Sequence, residues 1–174
     1  MAIEPDTKDW TWVLDKPCPE CGYDASAIDP LSVAGRLRAQ EPIWRQALAR
    51  RDAEARPSPE VWSVTEYACH VRDVAVLFEA RLLMMLTEGD PLFANWDQDA
   101  TAVAERYDEQ DAADVAPQVA DSLESLAESF DAVAPEEWTR TGRRSDGASF
   151  TVGTFARYLL HDVEHHAWDV RPRG

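Results

Sequence analysis

The chain has no run of about eighteen apolar residues, the length that a membrane-spanning helix needs, so no spanning segment is expected. Its first residues, Met1 to Asp15, are acidic and mixed and lack the basic start and apolar stretch of a signal peptide. A cytoplasmic location is therefore the expectation. Cysteines number three, too few and too odd for a disulfide framework. Basic residues are also scarce, 17 against 33 acids, for a net charge of −16. Such a surface repels phosphate backbones and anionic headgroups, which argues against nucleic acid and membrane partners. Two small basic clusters stand out against it. Arg50-Arg51 suits a helix C-terminus, where cations oppose the helix dipole. Arg140, Arg143 and Arg144 suit a solvated loop, or a place that attracts an anionic ligand.

What is present is enough for one core: 174 residues, 45% of them hydrophobic. Residues 1–29 read as an irregular extension, with Pro5, Pro17, Pro19 and Gly22, and with Trp10 and Trp12 to pack it down. Residues 30–174 read as helices. The first begins at Asp29-Pro30, an N-cap followed by a proline at the first helical position. It runs through Leu37, Trp44 and Leu48 to about Arg51, with Pro42 expected to kink or break it. The second starts on the capping-box pattern of Ser63 and Glu66 and runs to about Thr87, ahead of Gly89 and Pro91. A short helix is expected around 100–107. The third long helix covers about Asp111 to Val133, where apolar residues recur at three and four. Residues 136–150 suggest a long loop or an irregular hairpin. The last helix starts with Thr151 as N-cap and reaches about Val170. Four amphipathic helices without strand–helix alternation predict an all-α four-helix bundle.

Histidines are few as well. Of four, three (His161, His165 and His166) lie within six residues. On a helix His161 and His165 share a face, with Cβ atoms about 5–6 Å apart, a spacing at which two imidazoles converge on one ion. The opposite side of that helix carries Val152, Phe155, Leu159, Val163 and Val170, so both sides have something to bury. His166 points with Val163 and Val170 and reads as a core or interface histidine rather than a ligand. His70, on the second long helix, borders its apolar stripe. Glu66 and Asp73 are near enough along the helix to hold its second ring nitrogen, as Glu164 and Asp162 are for the later pair. The plain alternative is an exposed histidine face and a satisfied core histidine. Cys18 and Cys21 form C-x-x-C, half a zinc knuckle. A tight turn with two thiols is the plainest reading. A redox pair, or zinc shared with a histidine or a second subunit, are the others.

The stretches VWSVTEYACHVRDV (61–74) and TVGTFARYLLHDVEHHAWDV (151–170) together resemble the DinB-like superfamily. Its pattern is W-S-x-x-E-x-x-x-H on the second helix and H-x-x-x-H on the fourth, present here as Trp62, Ser63, Glu66, His70, His161 and His165. The resemblance spans about residues 30–170, and CPECGYDA (18–25) is similar to an extension of actinobacterial members. It implies an up-down-down-up four-helix bundle and one divalent ion, commonly zinc or nickel, on His70, His161 and His165. Relatives include mycothiol-dependent maleylpyruvate isomerases and thiol S-transferases. They imply a metal-dependent thiol S-transferase or isomerase acting on a small electrophile, with a low-molecular-weight thiol such as mycothiol as cofactor. In that reading Glu66, Tyr158 and Glu164 orient ligands or move protons. A metal-dependent hydrolase using a bound water, or a non-enzymatic metal-stabilised stress-response bundle, are the alternatives. Many relatives are dimers, and the two-sided last helix leaves room for a homodimer.

Overall fold

A computed structural model describes residues 9–172. The first eight residues, part of the expected extension and of the segment without signal-peptide character, lie outside the described range. The expected first helix is two: α1 (Val33–Arg38) and α2 (Glu41–Leu48), preceded by a 3-10 turn at Pro30–Ser32 capped by Asp29. The break comes before Pro42, which thereby occupies the first turn of α2, where its missing N–H is not needed. Helix α3 (Val64–Thr87) starts on the full capping box. The Glu66 N–H donates to Ser63 Oγ at 3.1 Å, and the Ser63 N–H donates to the Glu66 carboxylate at 2.8 Å. Helix α4 (Gln98–Ala104) is the short expected one. Helix α5 (Ala112–Asp131) follows, and α6 (Val152–Asp169) begins on Thr151, whose Oγ1 accepts from the Thr154 N–H. Helix α5 packs on α3, α1 and α2, and α6 on α3 and α1. Phe78 of α3 stacks on Phe155 of α6 with ring centroids 4.7 Å apart. No helix among the described residues is long and apolar enough to cross a membrane.

The all-α expectation needs one correction. Residues 141–151 are a hairpin, β2 (Thr141–Arg144) and β3 (Ser149–Thr151), and β1 (Leu92–Phe93) adds to β2 in parallel. Strands of two to four residues are too short for the period-two alternation to register in sequence. Gly147, at φ +101°, turns the hairpin, and Phe93 and Phe150 are buried against the bundle. Gly142 fits because it has no side chain. A Cβ there would stand 2.8 Å from Met85 Cγ and 3.0 Å from the Phe93 ring. Gly142→Ala is expected to cost about 1–2 kcal/mol by overpacking, and an unchanged midpoint in denaturant titration would contradict this contact.

The extension is part of the same core. Val13, Cys18, Tyr23 and Ala25 are buried, and the 3-10 turns Trp10–Leu14 and Ala25–Ala27 lie on α6. The Tyr23 hydroxyl donates to the Arg157 carbonyl at 2.7 Å, and the Arg157 guanidinium donates to the Ile28 carbonyl at 2.9 Å.

Candidate metal centre

Helix α6 carries two interleaved i,i+4 pairs, His161 with His165 and Asp162 with His166. Consecutive residues point about 100° apart around a helix, so the pairs serve different neighbours. Among the described residues, potential metal-ligand atoms gather in two groups, each with its atoms within 4.8 Å of one another: His70, Asp162 and His166; and Cys18, Cys21, His161 and His165. The expected trio of His70, His161 and His165 is therefore not brought together. His70 meets the other pair, and His166, which the sequence placed in core or interface, is its partner. The signal was in the sequence as Asp-x-x-x-His, one residue out of phase with His-x-x-x-His.

The first group lies between α3 and α6. His70 is fully buried, with its Nε2 3.2 Å from Asp162 Oδ1 and its ring stacked on Trp96 at 5.5 Å. His166 stands edge-on to His70, centroids 4.8 Å apart, and its Nε2 is 3.7 Å from the same Asp162 oxygen. The other nitrogen of His166 lies 2.9 Å from Asp169, the carboxylate–imidazole contact that fixes a ligand ring. Burial on its own would raise the Asp162 carboxyl, but the His70 ring, with His166 and His161, outweighs it and holds the pKa down at about 2. An anionic carboxylate between two imidazoles suits a divalent ion, and the buried Nδ1 of His70 has no hydrogen-bond partner among the described residues.

Asp162 also lines a cavity of about 420 Å³ whose walls include Trp10, Phe78, Arg81, Arg144 and Tyr158. Arg81 is buried there. It donates to the Ala94 carbonyl at 2.7 Å and lies over the Phe78 and Phe93 rings, and no carboxylate among the described residues is within ion-pair distance of it. Burial, with Arg144 nearby, lowers its pKa to about 10, so it stays charged at neutral pH. Arg144 is paired with Asp146 and donates to the Tyr158 hydroxyl at 3.2 Å. Burial pushes the Tyr158 phenol up against the opposing effect of Arg144, so it keeps its proton. Sequence reasoning singled out Arg144 in a basic cluster and missed Arg81, which looks in sequence like any arginine of a long helix.

Of the three expected proton-handling residues, only Tyr158 faces this cavity. Glu66 is committed to the start of α3, bound by Arg56 and the Ser63 N–H. Glu164 is held by a two-pronged pair with Arg36 of α1 at 2.7 and 2.8 Å. Asp73 accepts from Arg72 and from the Tyr107 hydroxyl. Cys69 lies away from both groups beside Gln110, its thiol pushed up to about 12 by burial.

No curated protein matches the chain. Among solved structures it is similar to YfiT from Bacillus subtilis, a probable metal-dependent hydrolase with an unusual four-helix bundle topology. That likeness has a TM-score of 0.72 at 16% identity and covers 89% of this chain and 88% of the other. At that identity it speaks for the fold alone. The family model of the DinB superfamily matches residues 36–170, which takes in α2 to α6 and every histidine, and the chain belongs to that superfamily.

Proposed function

We propose that the protein is a metal-dependent enzyme that holds a divalent ion through His70, Asp162 and His166 and acts on a small anionic electrophile. The observation that carries this is the contact between that ligand group and the cavity, made at Asp162, with Arg81, which has no carboxylate partner among the described residues, on the cavity wall. Two imidazoles and one carboxylate are a donor set that suits zinc, nickel or iron and leaves positions open. A divalent ion held there would supply Lewis acidity for activating a nucleophile and a substrate oxygen. The chain supplies the rest. Arg81 and Arg144 bind the anionic group of the substrate, the Tyr158 phenol donates a hydrogen bond to a leaving or developing oxyanion, and Asp169 keeps the His166 ring aimed.

The nucleophile in this reading is the thiol of a small cofactor such as mycothiol, making the enzyme a thiol S-transferase or isomerase. A cavity of about 420 Å³ is within the size range of small-molecule sites, and the resemblance to the mycothiol-dependent relatives supports this choice of nucleophile. Water is the second nucleophile to test, because YfiT, which shares the fold, is described as a probable metal-dependent hydrolase. Protein reconstituted with zinc or nickel is to be screened against small anionic esters, amides and electrophilic alkenes, with and without a low-molecular-weight thiol. Turnover only with thiol supports the transferase, turnover without it the hydrolase. None with either metal leaves the stress-response bundle. Arg81→Gln is expected to raise KM for an anionic substrate about tenfold or more with a smaller change in kcat, since it removes binding common to ground and transition state. An unchanged KM would remove Arg81 from the binding site.

A further inference from the structure

We propose a second, structural metal site: Cys18, Cys21, His161 and His165 form a closed tetrahedral zinc centre that clamps the N-terminal extension to α6. Its ligands are separate from those of the proposed catalytic group, and the inference does not depend on that reading.

The turn is built to present both sulfurs. In Cys18-Pro19-Glu20-Cys21-Gly22 the Gly22 N–H donates to the Cys18 carbonyl at 2.9 Å, and the Cys18 N–H donates to the Tyr23 carbonyl at 2.8 Å. Gly22 has φ +76°, a conformation that a side chain would strain. Tyr23, bound to the Arg157 carbonyl, fixes the turn over α6. All three cysteines among the described residues are free, so no disulfide competes for these sulfurs.

The four donor atoms lie within 4.8 Å of one another. Zinc bonds of about 2.3 Å to sulfur and about 2.0–2.1 Å to nitrogen give tetrahedral edges of roughly 3.3–3.8 Å. The Cys18 Sγ to His165 Nδ1 distance, 3.7 Å, already has that length. A small contraction completes the rest.

The two imidazoles show what a ligand pair needs. His161 is 4% exposed, and its Nε2 is buried without a hydrogen-bond partner among the described residues. An unpaired buried donor or acceptor costs about 1–3 kcal/mol, and coordination removes that cost. His165 has its Nδ1 toward Cys18 and its Nε2 3.4 Å from the Glu20 carboxylate, the arrangement by which an outer carboxylate orients a metal-bound ring. Two thiolates and two neutral imidazoles make the centre neutral with Zn²⁺, which suits a buried place. The Trp10 and Tyr23 rings cover it, with centroids 5.3–5.7 Å from the histidine rings. Four protein ligands leave no open position, the mark of a structural rather than a catalytic site.

Trp10 gives the clamp a consequence for function. It lies against His161 and His165 and also lines the 420 Å³ cavity. Holding the extension on α6 holds that wall.

The test uses the full chain without a histidine tag, stripped of metal and titrated with Co²⁺ under reducing conditions. The wild type is expected to develop the sulfur-to-cobalt charge-transfer absorption and intense ligand-field bands of a tetrahedral thiolate site, saturating at one equivalent. His70→Ala is expected to keep them. The Cys18→Ser/Cys21→Ser double variant is expected to lose them, and His161→Ala to weaken or lose them. No thiolate–cobalt absorption in the wild type would overturn the proposal, as would its survival in the double variant. The wild-type spectrum decides even if a variant fails to fold. Zinc content read beside it is expected to fall by one per chain in the double variant, whereas failure of the catalytic reading would show only in His70→Ala and Asp162→Asn.

Discussion

Asp162→Asn is expected to empty the His70–His166 group of its ion and to lower kcat/KM by about a thousandfold or more, the several kcal/mol that Lewis-acid stabilisation of a transition state supplies. Asparagine keeps the volume and one oxygen, so the fold should survive. It removes the anionic charge that sits between two imidazoles, 3.2 Å from His70 Nε2 and 3.7 Å from His166 Nε2. The substitution also separates two assignments of the catalytic ion. If the ion sat on His70, His161 and His165, Asp162→Asn would retain it, and His161→Ala would be the inactivating change. Metal content and steady-state kinetics of the two variants, measured in parallel on the same substrate, decide between them. Full activity in Asp162→Asn would end the present assignment.

Glu66→Ala is expected to destabilise the fold by about 3 kcal/mol, near the lower end for breaking a buried ion pair, because Arg56 keeps partial access to water. That corresponds to a fall in Tm of roughly 6–12 °C for a chain of this size. Glu66 is 2% exposed and its carboxylate serves two partners, the Arg56 guanidinium and the Ser63 N–H, the second being the contact that closes the capping box at the start of α3. Burial opposes its charge, but the Arg56 hydrogen bonds and the Ser63 N–H outweigh that and lower its pKa from the usual 4.5. A carboxyl whose pKa is lower folded than unfolded stabilises the fold fully above the unfolded value and loses that contribution as pH falls through the folded one. The stability gap between wild type and Glu66→Gln should therefore be widest near neutral pH and close on acidification below about 4.5. Denaturant titrations of both at several pH values check this. A gap that stays constant with pH would mean that the Glu66 charge is not what holds the start of α3. Activity lost in proportion to stability would fit this role, whereas a stable but inactive Glu66→Gln would restore Glu66 to the chemistry.

The helices were legible because their signals are local. Ser63 with Glu66, and Thr151, mark starts by backbone hydrogen bonds made within a few residues, and both recur in the structure, whereas Asp29 with Pro30 caps the 3-10 turn that leads into α1. The small sheet was legible only in part: a hairpin was one of the two readings of 136–150, and the pairing of β1 onto it was not foreseen. Its strands are short, and β1 and β2 are joined from segments about fifty residues apart. Arg81 was not legible, since its lack of a carboxylate partner among the described residues is a property of its neighbours.

The sequence by itself determined the secondary structure of the long helices, the family, and the presence on the last helix of metal-binding residue types at i,i+4. Local propensity and capping act between near neighbours, so they can be read along the chain. The tertiary structure alone decided which pair faces which partner. His161–His165 and Asp162–His166 differ by one residue, about 100° of rotation, and either phase is compatible with the same amphipathic helix. The packing of α6 against α3 on one side and the N-terminal extension on the other resolved it. Asp162 and His166 went to His70, and His161 and His165 went to two cysteines about 140 residues away, whose turn meets them only when the whole chain has closed.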